Sequence, residues 1–188
     1  MTYLPYARQD RVCTKGDAFS LGVLTGMINS SGFHSVKVSD CHSKIGLEMI
    51  TGNTEDYSQL NCLIDSEFKL KRNAVIVAPD KGAIEKSQAI ADHFGVPLVR
   101  AEKRRDPKTG MLSGFTLNAS NLDIEGKSVY VFDDICDGGG TFLGLGSLIK
   151  ELKPLSMSLI VTNGIFSNKN NKVKLEEMFN VNSEFSWD

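Results

Sequence analysis

Ser128-Val-Tyr-Val-Phe-Asp133-Asp134-Ile-Cys136-Asp137-Gly138-Gly139-Gly140-Thr141 carries the deciding pattern. It passes from a β-rich apolar segment, through two acids and then three glycines, into a stretch of helical period. Glycines let backbone N–H groups close on a phosphate without side-chain obstruction, and a helix start adds unpaired donors and the positive end of its dipole. Neighbouring carboxylates at a strand end accept hydrogen bonds from a vicinal diol or help hold a hard divalent cation. Diol and phosphate together describe a pentose phosphate. The string has neither the Gly-Lys-Ser/Thr ending of a Walker A loop nor the Gly-x-Gly-x-x-Gly spacing of a dinucleotide site. Three glycines alone are as readily a tight solvated turn, but acids at 133, 134 and 137 before Gly-Gly-Gly-Thr make a far more specific string.

Outward from this loop, short apolar runs alternate with helix-period stretches, the pattern of a mostly parallel α/β sheet flanked by helices. Val36–Asp40, Ala74–Ala78, Ser128–Phe132 and Met157–Thr162 are expected strands, the last a buried central one. Ser20–Asn29 is an expected helix with Leu21, Leu24 and Ile28 on one face. Ala83–Phe94 is a second, presenting Ala83, Ser87, Ile90 and Phe94 and stopping at Gly95, and Thr141–Lys153 is a third, halted before Pro154. Polar Ser167–Val173 is expected to be an exposed loop. A boundary near Asn61 would divide 1–60 from 61–188, with Gly52–Lys71 holding a short helix and the join.

The 188 residues are 41% apolar, enough for a real core, and the net charge of −2 excludes a general affinity for nucleic acid or anionic membrane. Any positive site must then be local, and Lys103-Arg104-Arg105 is the candidate. Cys13, Cys41, Cys62 and Cys136 form no Cys-x-x-Cys pair, so a reducing cytoplasm is expected, and no apolar run reaches membrane-spanning length. Cys136, amid acids, is expected to be a small buried filler with a raised thiol pKa.

The acidic glycine loop resembles the ribose-5-phosphate signature shared by type I phosphoribosyltransferases and ribose-phosphate pyrophosphokinases (phosphoribosyl-diphosphate synthetases): two acids, two variable residues, then Asp-Thr-Gly/Ala-Gly-Thr. Gly138 stands where the first threonine is usual, which removes one hydroxyl donor to the phosphate. Further stretches resemble the synthetases in particular. Tyr6-Ala7-Arg8-Gln9-Asp10-Arg11 is similar to the segment serving the nucleotide site, and Asp40-Cys41-His42-Ser43 to the Asp-Leu-His-Ala/Ser motif at the magnesium–ATP site. Ala78-Pro79-Asp80-Lys81-Gly82-Ala83 is similar to the Ser-Pro-Asp-x-Gly-Gly loop that serves diphosphate and metal. Glu102-Lys103-Arg104-Arg105 resembles the start of the flexible catalytic loop, and Asn163-Gly164-Ile165-Phe166-Ser167 a strand end. Taken singly, Arg8 and Arg11 read as surface charges, His42 as an ordinary histidine and Lys103–Arg105 as a solvated turn. Their order and spacing carry the resemblance, which extends from Tyr3 to about Ser167; the tail beyond resembles nothing recognisable.

The resemblance implies a phosphoribosyltransferase-like α/β fold with an incomplete second subdomain of similar topology. It implies transfer of diphosphate from ATP to ribose 5-phosphate for nucleotide biosynthesis, with Mg²⁺ as cofactor. Lys103 and Arg105 would be catalytic, on a stretch reaching Gly110 that closes as a lid. Asp133, Asp134, Asp137, Gly138, Gly139, Gly140 and Thr141 would hold the sugar phosphate. Arg8, Gln9, Asp10, Arg11 and His42 would hold ATP, with His42 and Asp80 at the metal. The chain corresponds to a family member beginning halfway through its first domain, so a homo-oligomer or a separately encoded partner chain is expected to complete it. A non-catalytic binding subunit and a phosphoribosyltransferase are the alternatives.

Overall fold

The computed structural model describes residues 1–105, 112–118 and 123–186, with backbone alone at 103–105, 112–113 and 183–186. The chain forms two compact units, Met1–Ser66 and Glu67–Asp188.

In the first unit, helix α1 (Ser20–Ser30) turns Leu21 and Ile28 inward, as the helical spacing predicts. Strand β1 (Ser35–Ser39) buries Val36 and Val38 in strict alternation. A short helix α2 (Lys44–Glu48) follows, then strand β2 (Asn53–Tyr57), parallel to β1, and helix α3 (Gln59–Asp65), capped by the Ser58 hydroxyl on the Asn61 amide. Leu4, Ala7, Leu21, Ile28, Val36, Val38 and Ile50 make this unit's core.

The second unit is a six-stranded sheet in the order β5-β4-β3-β6-β7-β8. Its strands are β3 (Ala74–Ala78), β4 (Leu98–Arg105), β5 (Leu112–Asn118), β6 (Ser128–Cys136), β7 (Ser156–Gly164) and β8 (Asn180–Ser186). Among the described residues, only β4 with β5 is antiparallel. Packed with it among the described residues are α4 (Ile84–Phe94), α5 (Gly140–Glu151) and α6 (Lys169–Met178). Every residue of β3, Ala-Val-Ile-Val-Ala, is buried, as a parallel strand covered on both faces requires. Helix α4 ends at Gly95, whose left-handed φ of 65° lets its amide and that of Val96 return to the Asp92 and Ala91 carbonyls.

The path β3-α4-β4 runs one way along the sheet and β6-α5-β7 the other, and right-handed crossovers put α4 on the face opposite α5 and α6. On one face Leu145, Ile149 and Leu175 pack over Val75, Val131 and Leu159. The rings of Phe68, Phe94, Tyr130 and Phe132 pack together edge-on or stacked, with centroids 6.3 Å apart.

Two expectations are corrected. Ser167–Val173 is not an exposed loop: Asn168 accepts a hydrogen bond from the Asn171 amide and starts α6, so the polar run was a helix cap and first turn. Nor does Glu102–Arg105 begin a loop, since β4 runs through Arg105 and pairs with β5, Lys103 facing Phe115 across the ladder. The side chains of Lys103 and Arg105, and the Asp106–Gly110 stretch expected to form a lid, lie outside the described residues.

Candidate functional site

Strands β3 and β6 are neighbours, yet the chain leaves them in opposite directions, which makes a topological switch point at their carboxyl ends. The register Val77↔Val131 sets Asp80 and Asp134, each three residues further on, at this one edge. Asp133 is half-buried and Asp134 buried. The Asp134 amide donates to Asp133 Oδ1 at 2.9 Å, which fixes the first carboxyl.

Burial holds the Asp133 pKa well above its ordinary 3.8, and the neighbouring charge of Asp134 and a hydrogen bond between the two carboxyls push it the same way. Lys86 works in the opposite sense. Its Nζ lies 3.9 Å from Asp134 Oδ1, both side chains largely buried. Lys86 had escaped notice in the sequence, although Ala83, Lys86 and Ile90 share a helical spacing that turns it toward the sheet. Replacing it with methionine is expected to raise the Asp133 pKa further, while arginine holds it in place. A carboxyl NMR titration of the two variants checks this.

The three glycines play different parts. Gly139 has a φ of 75°, and a Cβ there would meet Leu175 Cδ1 at 2.9 Å. Gly138 and Gly140 face open space. Gly139→Ala is therefore expected to cost about 1–3 kcal/mol of stability, whereas Gly138→Thr is expected to stay within about 0.5 kcal/mol; urea unfolding of both variants distinguishes them. Helix α6 braces the loop from outside, Asn171 Nδ2 donating to the Gly138 carbonyl at 2.7 Å. From the adjoining β7, buried Asn163 donates to the Asp134 carbonyl at 3.4 Å, and its Oδ1 has no partner among the described residues. Neither asparagine was singled out for this place by its sequence, because each reaches the loop only through tertiary packing.

Cys136 is fully buried, and burial, then Asp133 and Asp137, push its thiol up to about 12. It is the inert filler expected of it.

Asp80 organises the turn that opens α4: its Oδ1 accepts from the Gly82 amide at 2.9 Å and the Ala83 amide at 3.2 Å. In the first unit, Ser43 Oγ donates to Asp10 Oδ2 at 2.9 Å, so the Arg8–Arg11 segment and the His42 loop are joined. Asp10 also lies 3.9 Å from Arg11 Nε, and Leu4 and Ala7 anchor the preceding turn in the core. Arg8, Gln9, Arg11 and His42 are exposed at this surface.

The sequence profile described as "Phosphoribosyl transferase domain" matches residues 58–188. Among curated proteins, the chain is similar to the ribose-phosphate pyrophosphokinase of Pyrococcus furiosus, 29% identical over 165 residues, covering 88% of this chain and 57% of the relative. That of Pyrococcus abyssi is 30% identical over 166 residues, covering 88% and 56% respectively. The chain thus spans little more than half the length of these relatives. Among solved structures, the phosphoribosylpyrophosphate synthetase from Mycobacterium smegmatis superposes with a TM-score of 0.77 at 23% identity, over 95% of this chain and 57% of that one, which establishes a shared fold. Profile, fold and the acidic glycine loop at the switch point agree, and the chain belongs to the phosphoribosyl transferase domain family.

Proposed function

We propose that this chain takes part in transfer of the β,γ-diphosphoryl group of ATP to the 1-hydroxyl of ribose 5-phosphate. The hydroxyl oxygen forms a bond to the β-phosphorus, the bond from that phosphorus to the α,β-bridging oxygen breaks, and AMP leaves. The hydroxyl proton passes to solvent or to a phosphate oxygen. The observation that carries this reading is the Asp133–Asp134 couplet followed by the left-handed Gly139 and the start of α5. Curated relatives bearing the name ribose-phosphate pyrophosphokinase support it.

In this reading Asp133 and Asp134 accept hydrogen bonds from the ribose diol, and Asp137, the Gly138–Gly140 amides and Thr141 hold the 5-phosphate. Arg8, Gln9, Asp10, Arg11 and His42 serve ATP. Lys103 and Arg105 supply positive charge to the transferring group in the transition state. The site's chemistry fits a divalent cation, because Asp80, Asp133 and Asp134 bring hard carboxylate oxygens to one edge of the sheet. Magnesium, when bound, would neutralise phosphate oxygens, with His42 and Asp80 as its proposed protein ligands and substrate oxygens supplying much of its shell. Assembly as a homo-oligomer, or with a separately encoded chain, in a reducing cytoplasm belongs to the same proposal. Among the described residues Cys13, Cys41, Cys62 and Cys136 form no disulfide, and no helix is long and apolar enough to cross a membrane.

The test is direct. Purified chain incubated with Mg-ATP and ribose 5-phosphate is expected to give AMP and phosphoribosyl diphosphate in equal amounts. Binding of ribose 5-phosphate without product at any protein concentration would overturn the catalytic reading in favour of a binding subunit.

A further inference from the structure

At the amino-terminal ends of β3 and β4, the opposite edge of the sheet from the acid couplet, lies a cleft of about 590 Å³. That volume falls within the range of small-molecule sites. Its walls carry Lys69, Lys71, Arg72 and Lys127, and no lining residue is acidic. In a chain of net charge −2 this is a concentration of one sign. None of the four cations has an acidic partner among the described residues.

Their backbone is held in place. The Lys71 amide donates to the Tyr130 hydroxyl at 3.1 Å, the Asn73 carbonyl accepts from Ser128 at 3.2 Å, and the Lys127 carbonyl accepts from Leu155 at 2.8 Å. The carboxyl end of α4 also borders the cleft, but the return bonds from Gly95 and Val96 already occupy its Asp92 and Ala91 carbonyls. Four cations lining one cleft on a hydrogen-bonded frame suit an anion of several charges better than a single carboxylate. With β3 between them, cleft and loop are roughly 15 Å or more apart.

We propose that this cleft binds a small anion bearing two or more phosphoryl groups, independently of the acidic glycine loop. The Lys71, Arg72, Lys69 and Lys127 side chains receive the phosphoryl oxygens, and Phe94 and Pro97 form the apolar wall beside them.

The experiment is an amide chemical-shift titration of the full chain with inorganic tripolyphosphate in magnesium-free buffer of low ionic strength. Saturable shifts are expected at Lys71, Asn73 and Lys127. The Lys71→Glu/Arg72→Glu variant, altered only at exposed side chains, is expected to weaken them at least about tenfold while any shifts at Gly138–Thr141 persist. ATP should reproduce the cleft shifts through its phosphate tail, and adenosine should not. Shifts confined to Gly138–Thr141, an unchanged affinity in the double variant, or cleft shifts produced by adenosine alone would each overturn the proposal.

Discussion

Asp133→Asn is expected to weaken ribose 5-phosphate binding about a hundredfold while making the ligand-free protein more stable at neutral pH. The loss follows from chemistry: a carboxylate accepts two charge-assisted hydrogen bonds from a diol, each worth about 1.5–3 kcal/mol, and an amide accepts less strongly. The stability gain follows from sign. Asp133 has a folded pKa raised above 3.8, so between that value and the folded one the native state holds the extra proton. Stability of the free protein therefore falls as pH rises through that window and is level above it. Asparagine carries no such charge yet keeps an oxygen for the Asp134 amide, so it escapes the fall. Binding runs the other way, since a ligand requiring the ionised couplet gains affinity as pH climbs through the same interval and expels a proton. Urea unfolding across pH, and calorimetry in buffers of different ionisation enthalpy, read both effects. A variant less stable than wild type at pH 7 contradicts the account.

Lys103→Ala carries the second large effect. It is expected to lower turnover by about a hundredfold or more and to leave sugar-phosphate affinity within about twofold. The reason is differential: a cation placed where charge develops on the transferring diphosphoryl group acts mainly in the transition state. Its backbone lies in the β4–β5 ladder opposite Phe115, so the substitution leaves those main-chain bonds intact. Single-turnover rates alongside ribose 5-phosphate titration separate the two parameters. Equal losses in both would mean that Lys103 holds substrate in the ground state.

Much of this fold was legible because local chemistry and global packing agree. Val75–Val77 and Leu159–Val161 are continuous apolar runs that only a doubly covered strand accommodates, and Gly95 stops α4 where a left-handed residue is needed. The place of the acid couplet, between the end of β6 and the start of α5, was legible since strand, acids, glycines and helix sit in one unbroken string. Strand β2, Asn-Thr-Glu-Asp-Tyr, carries no apolar alternation and forms through its ladder with β1. The charged end of β4 likewise reads as a turn until β5 supplies its partners. Lys86, Asn163 and Asn171 belong to three different elements, so their convergence on the loop depends on sheet order, which no local pattern contains.

The tail beyond Ser167, expected to resemble nothing, is matched by the family profile through residue 188; it supplies α6, which buttresses the glycine loop from outside. Asn171 and Leu175 lie against Gly138 and Gly139, so a chain cut back at Ser167 loses that support. If the loop holds a phosphate as proposed, its grip would then decay from a segment that need not touch the ligand at all, and proteolytic trimming there would silence the loop with every loop residue still in place.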